Sequence, residues 1–449
     1  MQLDAIFKAY DIRGRTDIGD LDATAAGRIG RGFAEFVASK FPEVAEVVVG
    51  RDCRESSVQL AEALMSGIQN GGIDVVDVGE VATDMIYFAS GSGAVPGVMI
   101  TASHNPAEYN GIKLCGPLAT PIGIDSGLGD IRRFADQELA DAPIAGKRRE
   151  ESVIEGYLQH LFSIVDPTGI AGLRVAVDGG NGMAGVVIQD VFAATNATLI
   201  GLYLEPDGTF PNHPANPLEP ANMADLIALV RSDRPDLGVA FDGDADRAFF
   251  VDETGVALSG STTTALIARW FLERQPGASI VHNLITSRAV PETIIAAGGT
   301  PIRTKVGHSY IKQVMADSGA IFGGEHSGHY YFVDNYRADS GMLAMLVLLQ
   351  VMSEAAEPLS QLRRTVEPYR QSGEINMSVE DKPAAVARVT EAFPGGHIDD
   401  LDGLTMSWDD EWFNVRASNT EPVLRINVEA PTEARVAELL VQIQQAIGV

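Results

Sequence analysis

Apolar positions along the chain switch between two periods. Leu21, Ala25, Ile29, Phe33 and Phe36 recur at helical spacing and predict an amphipathic helix near 21–40. A short apolar run at 47–50 reads as a strand, and 56–71 as a second helix with Ser56 or Ser57 as its cap. Residues 75–79 and 97–101 follow as further strands. Alternation of this kind builds βαβ units and a mostly parallel sheet.

The alternation restarts after a charged stretch at 146–151, which reads as a linker near residue 150. A strand at 173–178 runs into Gly-Gly-Asn-Gly and a helix, and strands at 237–241 and 248–252 flank a tight loop. A third round comprises a helix at 262–273, strands at 279–284, 300–304 and 320–322, and a long helix at 340–355. From about Thr365 the order changes. Strands at 373–379, 404–408, 412–415 and 423–428 surround a helix at 382–392, and a last helix begins at Thr432 as its cap. The expected fold is α/β: three similar domains with mixed, mostly parallel sheets, at 1–149, 150–254 and 255–364, and a smaller α+β domain at 365–449.

A chain of 449 residues is too long for one core, which agrees with that division. The formal charge of −28 argues against nucleic-acid or anionic-membrane partners, so an anionic substrate needs local basic residues. Two cysteines, Cys53 and Cys115, build neither a disulfide framework nor a thiolate metal site. With no leader-like segment and no apolar run of spanning length, a cytoplasmic protein is expected.

Four loops carry chemistry. Thr-Ala-Ser-His-Asn-Pro at 101–106 follows a buried strand, where open α/β sheets place ligands, and Ser103 beside His104 is a candidate nucleophile. Alone, it reads more readily as a turn serine satisfying backbone groups. Asp242, Asp244 and Asp246 alternate with Gly243 and Ala245, which let the chain curl so that three hard oxygen ligands converge on magnesium or calcium. Glu253 stands twelfth from Asp242 as in an EF-hand, but Arg247 replaces the glycine needed at the sixth position. Arg247 is placed to hold a phosphoryl oxygen. Gly-Glu-His-Ser-Gly-His at 324–329 offers Glu325 and Ser327, the residue types that hydrogen-bond vicinal sugar hydroxyls; its two histidines lack a third zinc ligand at suitable spacing. Arg416, Ser418, Asn419, Thr420 and Arg425 gather guanidinium, hydroxyl and amide groups suited to phosphate.

Together, in this order, the four loops resemble those of the α-D-phosphohexomutases, the family of phosphomannomutases and phosphoglucomutases, over the whole chain. The resemblance implies four domains around a central cleft, each giving it one loop. It implies that Ser103 is phosphorylated and, with Asp242, Asp244 and Asp246, holds Mg²⁺ beside Arg247. Glu325 and Ser327 then read the sugar, and Arg416, Ser418, Asn419 and Thr420 clamp the distal phosphate. Tyr10, Arg13, Lys113, His308 and His329 match other active-site positions, with Lys113, His329 and Arg13 as proton-transfer candidates. The implied reaction passes through a hexose 1,6-bisphosphate.

Two positions depart from the family pattern. Many relatives carry lysine where this chain has Asn283 and Leu284, so that a substrate contact is either missing or supplied by Arg288, and Asp339-Ser-Gly341 replaces an Asp-Gly pair. His326, between Glu325 and Ser327, speaks against the glucosamine enzymes, which usually carry glutamine there. Mannose 6-phosphate and mannose 1-phosphate are the expected substrates and glucose phosphates the second pair. A metal-dependent phosphomonoesterase is the competing class: it could use the same serine and aspartates but needs no distal phosphate clamp.

Overall fold

In the computed structural model the stripe from Leu21 to Phe36 is buried, and all but Leu21 lie on the helix Ala23–Lys40. Asp22 caps that helix, its carboxylate accepting from the Ala25 amide at 2.8 Å. The described residues are 3–418 and 423–448, without the side chain of His308. They form two compact units, Met1–Ser259 with Ser327–Ser360, and Gly260–His326 with Gln361–Val449.

In the first unit a seven-stranded sheet has the order Ile12–Arg15, Tyr109–Gly116, Gly97–Ile100, Glu46–Arg51, Asp74–Glu80, Arg148–Glu150, with Thr120–Pro121 paired to Tyr109–Gly116. Tyr109–Gly116 is antiparallel to its neighbours, and the remaining pairs are parallel. Half of the expected linker at 146–151, Arg148–Glu150, is therefore an edge strand. Its charges are compatible with a sheet edge because Arg148 bonds Glu62 and Asp77, and Arg149 bonds Glu46. The second helix also starts differently. It runs Glu55–Asn70 with Arg54 at the cap position and no side-chain cap, because the Ser57 hydroxyl turns to Asp52 instead.

A second sheet orders Ala248–Asp252, Leu237–Phe241, Arg174–Asp178 and Thr198–Leu202. Leu237–Phe241 is buried throughout and pairs antiparallel with Ala248–Asp252, Phe241 opposite Ala248, so residues 242–247 are the loop of a hairpin. The long helix Gly341–Ala355 is capped by Ser340, whose hydroxyl accepts from the Leu343 amide and donates to buried Asp84.

In the second unit, Ser279–Asn283 lies parallel to Thr300–Thr304 and to Phe322–Gly324. The last strand begins where 320–322 was expected to end, because pairing with Ile280–His282 sets its register. The C-terminal domain is a six-stranded sheet centred on Trp412–Ala417 and Val423–Ala430. The helices Lys382–Ala392 and Glu433–Ile447 bury Ala385, Val389, Val436, Leu439 and Ile443 in its core. Among the described residues no helix is long and apolar enough to cross a membrane.

Burial pushes the His282 imidazole down to about 4. The unfolded chain, titrating near pH 6.5, then binds more protons than the folded one between these values. The His282 contribution to stability is expected to fall as pH drops through that window, by about 3 kcal/mol. Buried Asp84 and Asp242, pushed up to about 7 and about 6, act in the opposite direction. The measurement is therefore the difference in urea midpoint between wild type and His282→Gln, which should move against the wild type as pH falls.

Candidate active site

The strand Gly97–Ile100 is buried along its length, and Ser103 follows in a loop where it is 5% exposed. Its backbone has φ 52°, the left-handed region that costs a side-chain-bearing residue about 1 kcal/mol or more. Thr101 Oγ1 accepts from the Ser103 amide at 2.9 Å. The Ser103 hydroxyl donates to Asp242 Oδ2 at 2.8 Å and accepts from Arg247 Nη2 at 3.0 Å. Arg247 also contacts His104 Nδ1 and bonds Asp242 through Nε at 2.8 Å.

The aspartate loop curls at Ala245, φ 62°, whereas Gly243 is required for space: a Cβ there would meet the Ser103 carbonyl oxygen at 2.4 Å. Asp242, Asp244 and Asp246 are buried, and one oxygen from each lies within 4.8 Å of the others. Lys113 Nζ donates at 2.6 Å to both Asp244 Oδ2 and Asp246 Oδ2. Asp244 Oδ1 and Asp246 Oδ1 stay buried without a hydrogen-bond partner. Buried carboxylate oxygens without a hydrogen bond are costly, and a hard divalent cation is a group that fits them.

The charges of the cluster act on one another at close range. Burial, with Asp246 and Asp244 adding, pushes Asp242 up to about 6 against the pull of Arg247. Burial also raises Asp246, but Lys113 and His329 outweigh it and hold its carboxyl below the usual range. Lys113 is opposed by burial and held far above the ordinary lysine range by the same aspartates. Burial and then Arg247 hold His104 well below the histidine range, so His104 is neutral.

His329 pairs by an isolated bridge with Arg247 and places Nδ1 at 2.9 Å from Asp339 Oδ2 and 3.8 Å from Asp246 Oδ1. Burial lowers its pKa, but these two carboxylates outweigh that and raise it. Arg13, on the strand Ile12–Arg15, bonds Asp11 at 2.6 Å and Asn105 of the serine loop. Tyr10 is half-buried just before that strand.

The loop 324–329 is divided: Glu325 and His326 belong to the second unit, Ser327 and His329 to the first. Buried Glu325 accepts from Asn283 Nδ2 at 3.2 Å. Leu284 packs with Ile285 and Trp412. Arg288, expected as a substitute contact, uses its amide on Glu429 and approaches the Trp408 carbonyl. In the C-terminal domain Glu374 gathers the basic groups: Arg416 bonds it, Arg425 lies at 3.5 Å and His326 at 4.0 Å. Ser418 is 7% exposed, its carbonyl accepting from Lys382 at 3.2 Å. Asn419 and Thr420 lie outside the described residues, as does the side chain of His308, the first residue of the helix His308–Ser318.

Three residues at these clusters escape sequence reading. Thr83 donates from Oγ1 to Asp244 Oδ2 at 2.6 Å and from its amide to the Asp244 carbonyl at 3.0 Å. Asp339 orients His329, and Glu374 holds the arginines. Thr83 and Asp244 are 161 residues apart, and no local pattern announces such a pair.

Comparison with known proteins is decisive. Domains I, II, III and the C-terminal domain of the phosphoglucomutase/phosphomannomutase family match residues 4–137, 155–255, 259–369 and 374–446. The chain belongs to this family. It is similar to a phosphomannomutase of Salmonella montevideo, 40% identical over 97% of this chain and 98% of the relative. It is also similar to the phosphohexose mutases of Xanthomonas campestris pv. campestris (strain B100), 38% identical over 97% of each chain. Its fold matches a crystal structure of a phosphoglucomutase/phosphomannomutase family protein from Burkholderia thailandensis, with TM-score 0.90 and 32% identity over 100% of this chain and 98% of that one. The chain is thus a multidomain α/β isomerase, an intramolecular phosphotransferase of the phosphohexomutase family.

Proposed function

We propose that the chain is a cytoplasmic phosphomannomutase that interconverts mannose 6-phosphate and mannose 1-phosphate through a phosphoserine at Ser103 and a hexose 1,6-bisphosphate. One observation carries this reading: a buried serine hydroxyl 2.8 Å from Asp242 and 3.0 Å from Arg247, beside two buried carboxylate oxygens without partners. Asp242, Asp244, Asp246 and the Ser103 phosphate are the proposed magnesium ligands. Bound magnesium supplies charge neutralisation for the phosphoryl group.

The remaining roles belong to the chain's own groups. Arg247, within hydrogen-bond reach of Ser103 Oγ, is placed to stabilise charge on the leaving or attacking oxygen, and Lys113 balances the aspartates. In the first transfer a sugar hydroxyl oxygen bonds to phosphorus as the Ser103 Oγ–P bond breaks, and the hydroxyl proton passes to a protein base. In the second, Ser103 Oγ bonds to the sugar's other phosphorus as that sugar O–P bond breaks, and the proton held by the base passes to the freed sugar oxygen. His329 is the best proton carrier of the three candidates, since its ordinary range is nearest neutral and Asp339 fixes its ring; Lys113 and Arg13 are the others. We assign sugar recognition to Glu325 and Ser327, with Tyr10 and His308. The distal phosphate falls to Arg416, Ser418, Asn419, Thr420 and Arg425. The four loops are assigned to domains at 1–149, 150–254, 255–364 and 365–449.

Glucose phosphates are the second substrate pair, because mannose and glucose present the same 3- and 4-hydroxyls to Glu325 and Ser327. The test is one preparation assayed with mannose, glucose and N-acetylglucosamine 1-phosphates, with products followed by ³¹P NMR. The fastest rate is expected with mannose 1-phosphate. Release of free sugar and inorganic phosphate as the main products would establish a phosphomonoesterase instead.

Arg416→Ala tests the distal clamp. The loss of a charge-assisted, bidentate-capable contact costs about 1.5–3 kcal/mol. A fall of roughly tenfold or more in kcat/KM is expected for mannose 1-phosphate, with little change in p-nitrophenyl phosphate hydrolysis. Equal effects on both substrates, or none on either, remove Arg416 from substrate binding.

A further inference from the structure

Arg54 is 1% exposed and is among the largest fully buried side chains of the described residues. It belongs to none of the four loops. Its guanidinium faces the backbone of the segment that carries Ser103. Nη2 donates to the Ser103 carbonyl at 2.9 Å and to the Asn105 carbonyl at 2.6 Å. Nη1 donates to the Pro106 carbonyl at 2.6 Å and to the Tyr109 carbonyl at 3.1 Å. Nε donates to Asp52 Oδ2 at 3.0 Å, where both partners are almost wholly buried. Each of the five N–H donors of a guanidinium thus has an acceptor.

Arg54 also joins this segment to the one that carries Gly208 and Phe210. The Phe210 ring centroid lies 4.9 Å from the guanidinium carbon. Gly208 packs so closely that a Cβ there would meet Arg54 Cα and the Cys53 carbonyl at 2.4 Å. The Ser103 carbonyl that Arg54 binds is the same one that lies against Gly243 of the aspartate loop.

We infer that Arg54 is a positioning residue for phosphoryl transfer: it holds the Ser103 backbone in its left-handed conformation so that Oγ returns to one point in both half-reactions. The inference rests on Ser103 being the phosphoryl carrier. A mutase needs this more than a one-way enzyme, because Ser103 must serve as acceptor and donor against the same aspartates and Arg247. Four backbone carbonyls and one carboxylate occupy every donor of Arg54, so none is left for substrate. Lysine cannot replace it, since three donors on a single nitrogen cannot span four carbonyls.

The test compares Arg54→Lys and Phe210→Leu with wild type. Phe210→Leu removes the ring from the guanidinium and leaves its five hydrogen bonds. Folding is checked by circular dichroism and thermal unfolding. The readouts are kcat and KM for mannose 1-phosphate, phosphoserine occupancy by intact mass, and inorganic phosphate released per turnover. That release reports water displacing Ser103 Oγ from phosphorus. Folded Arg54→Lys is expected to lose on the order of tenfold in kcat with KM unchanged, and to release more phosphate per turnover. Phe210→Leu is expected to shift both in the same direction by about threefold. The inference is overturned if folded Arg54→Lys keeps kcat and phosphate release within about twofold of wild type, or if KM rises as much as kcat falls. If Arg54→Lys does not fold, unchanged kcat and phosphate release in Phe210→Leu overturn it. A wild-type enzyme that carries no phosphoserine under turnover removes the phosphoserine reading itself, and this inference with it.

Discussion

Ser103→Ala is expected to lower kcat by about 10³-fold or more, because the variant has no oxygen to accept or donate the phosphoryl group. The fold should survive. The substitution removes the hydroxyl's bonds to Asp242 and Arg247, but Arg247 Nε still bonds Asp242 at 2.8 Å, so no new ion is left unpaired. The bond from the Ser103 amide to Thr101 is also kept, since it uses the backbone. A cost of about 1–2 kcal/mol is therefore expected in stability. Intact-mass analysis should show about one phosphate on the wild-type chain and none on the variant, with similar thermal unfolding. A variant that turns over at the wild-type rate would sink the mechanism.

Asp244→Asn should weaken Mg²⁺ binding by about tenfold to hundredfold. Asparagine keeps the shape and still accepts from Thr83 Oγ1, which bonds Asp244 at 2.6 Å. What is lost is one negative charge from a hard-ligand set and one of the two carboxylates on Lys113. The effect should thus appear as reduced affinity for the ion more than as misfolding. Calorimetric titration with Mg²⁺, or electron paramagnetic resonance with Mn²⁺, measures it without reference to turnover. Chelator treatment of the wild type should abolish activity, and added Mg²⁺ should restore it. If chelator-treated enzyme works as well as enzyme with Mg²⁺, the aspartates are not a catalytic metal site.

Local chemistry explains which elements could be read from the chain. The helix Ala23–Lys40 has five apolar residues in or beside it at one spacing and an aspartate at its cap, and the helix Glu433–Ile447 has Thr432 as its cap. Each signal lies within a few residues of its effect. The edge strand Arg148–Glu150 has no such signal, because its charges are satisfied by Glu62, Asp77 and Glu46, more than 70 residues earlier. The start of the helix Glu55–Asn70 differs from the expected one for a related reason: Ser57 has the chemistry of a cap, but its hydroxyl donates to Asp52.

By itself, the sequence determined the four-loop set and the residue types in it: a serine after a buried strand, three alternating aspartates, a glutamate and a serine in a glycine-bounded loop, and an arginine with hydroxyl neighbours. Those choices are local because the chemistry demands particular atoms at close spacing along a turn. Tertiary structure decided how the atoms are held. It set the left-handed backbone at Ser103, the close approach that makes Gly243 obligatory, and the carboxylate of Asp339 behind His329. It also set Thr83 on Asp244, and the guanidinium of Arg54 under four carbonyls. Hydrogen bonds from a side chain to a distant backbone leave no trace in residue order, since any residue offers the same carbonyl. Chain folding alone brings the donor and its acceptors together.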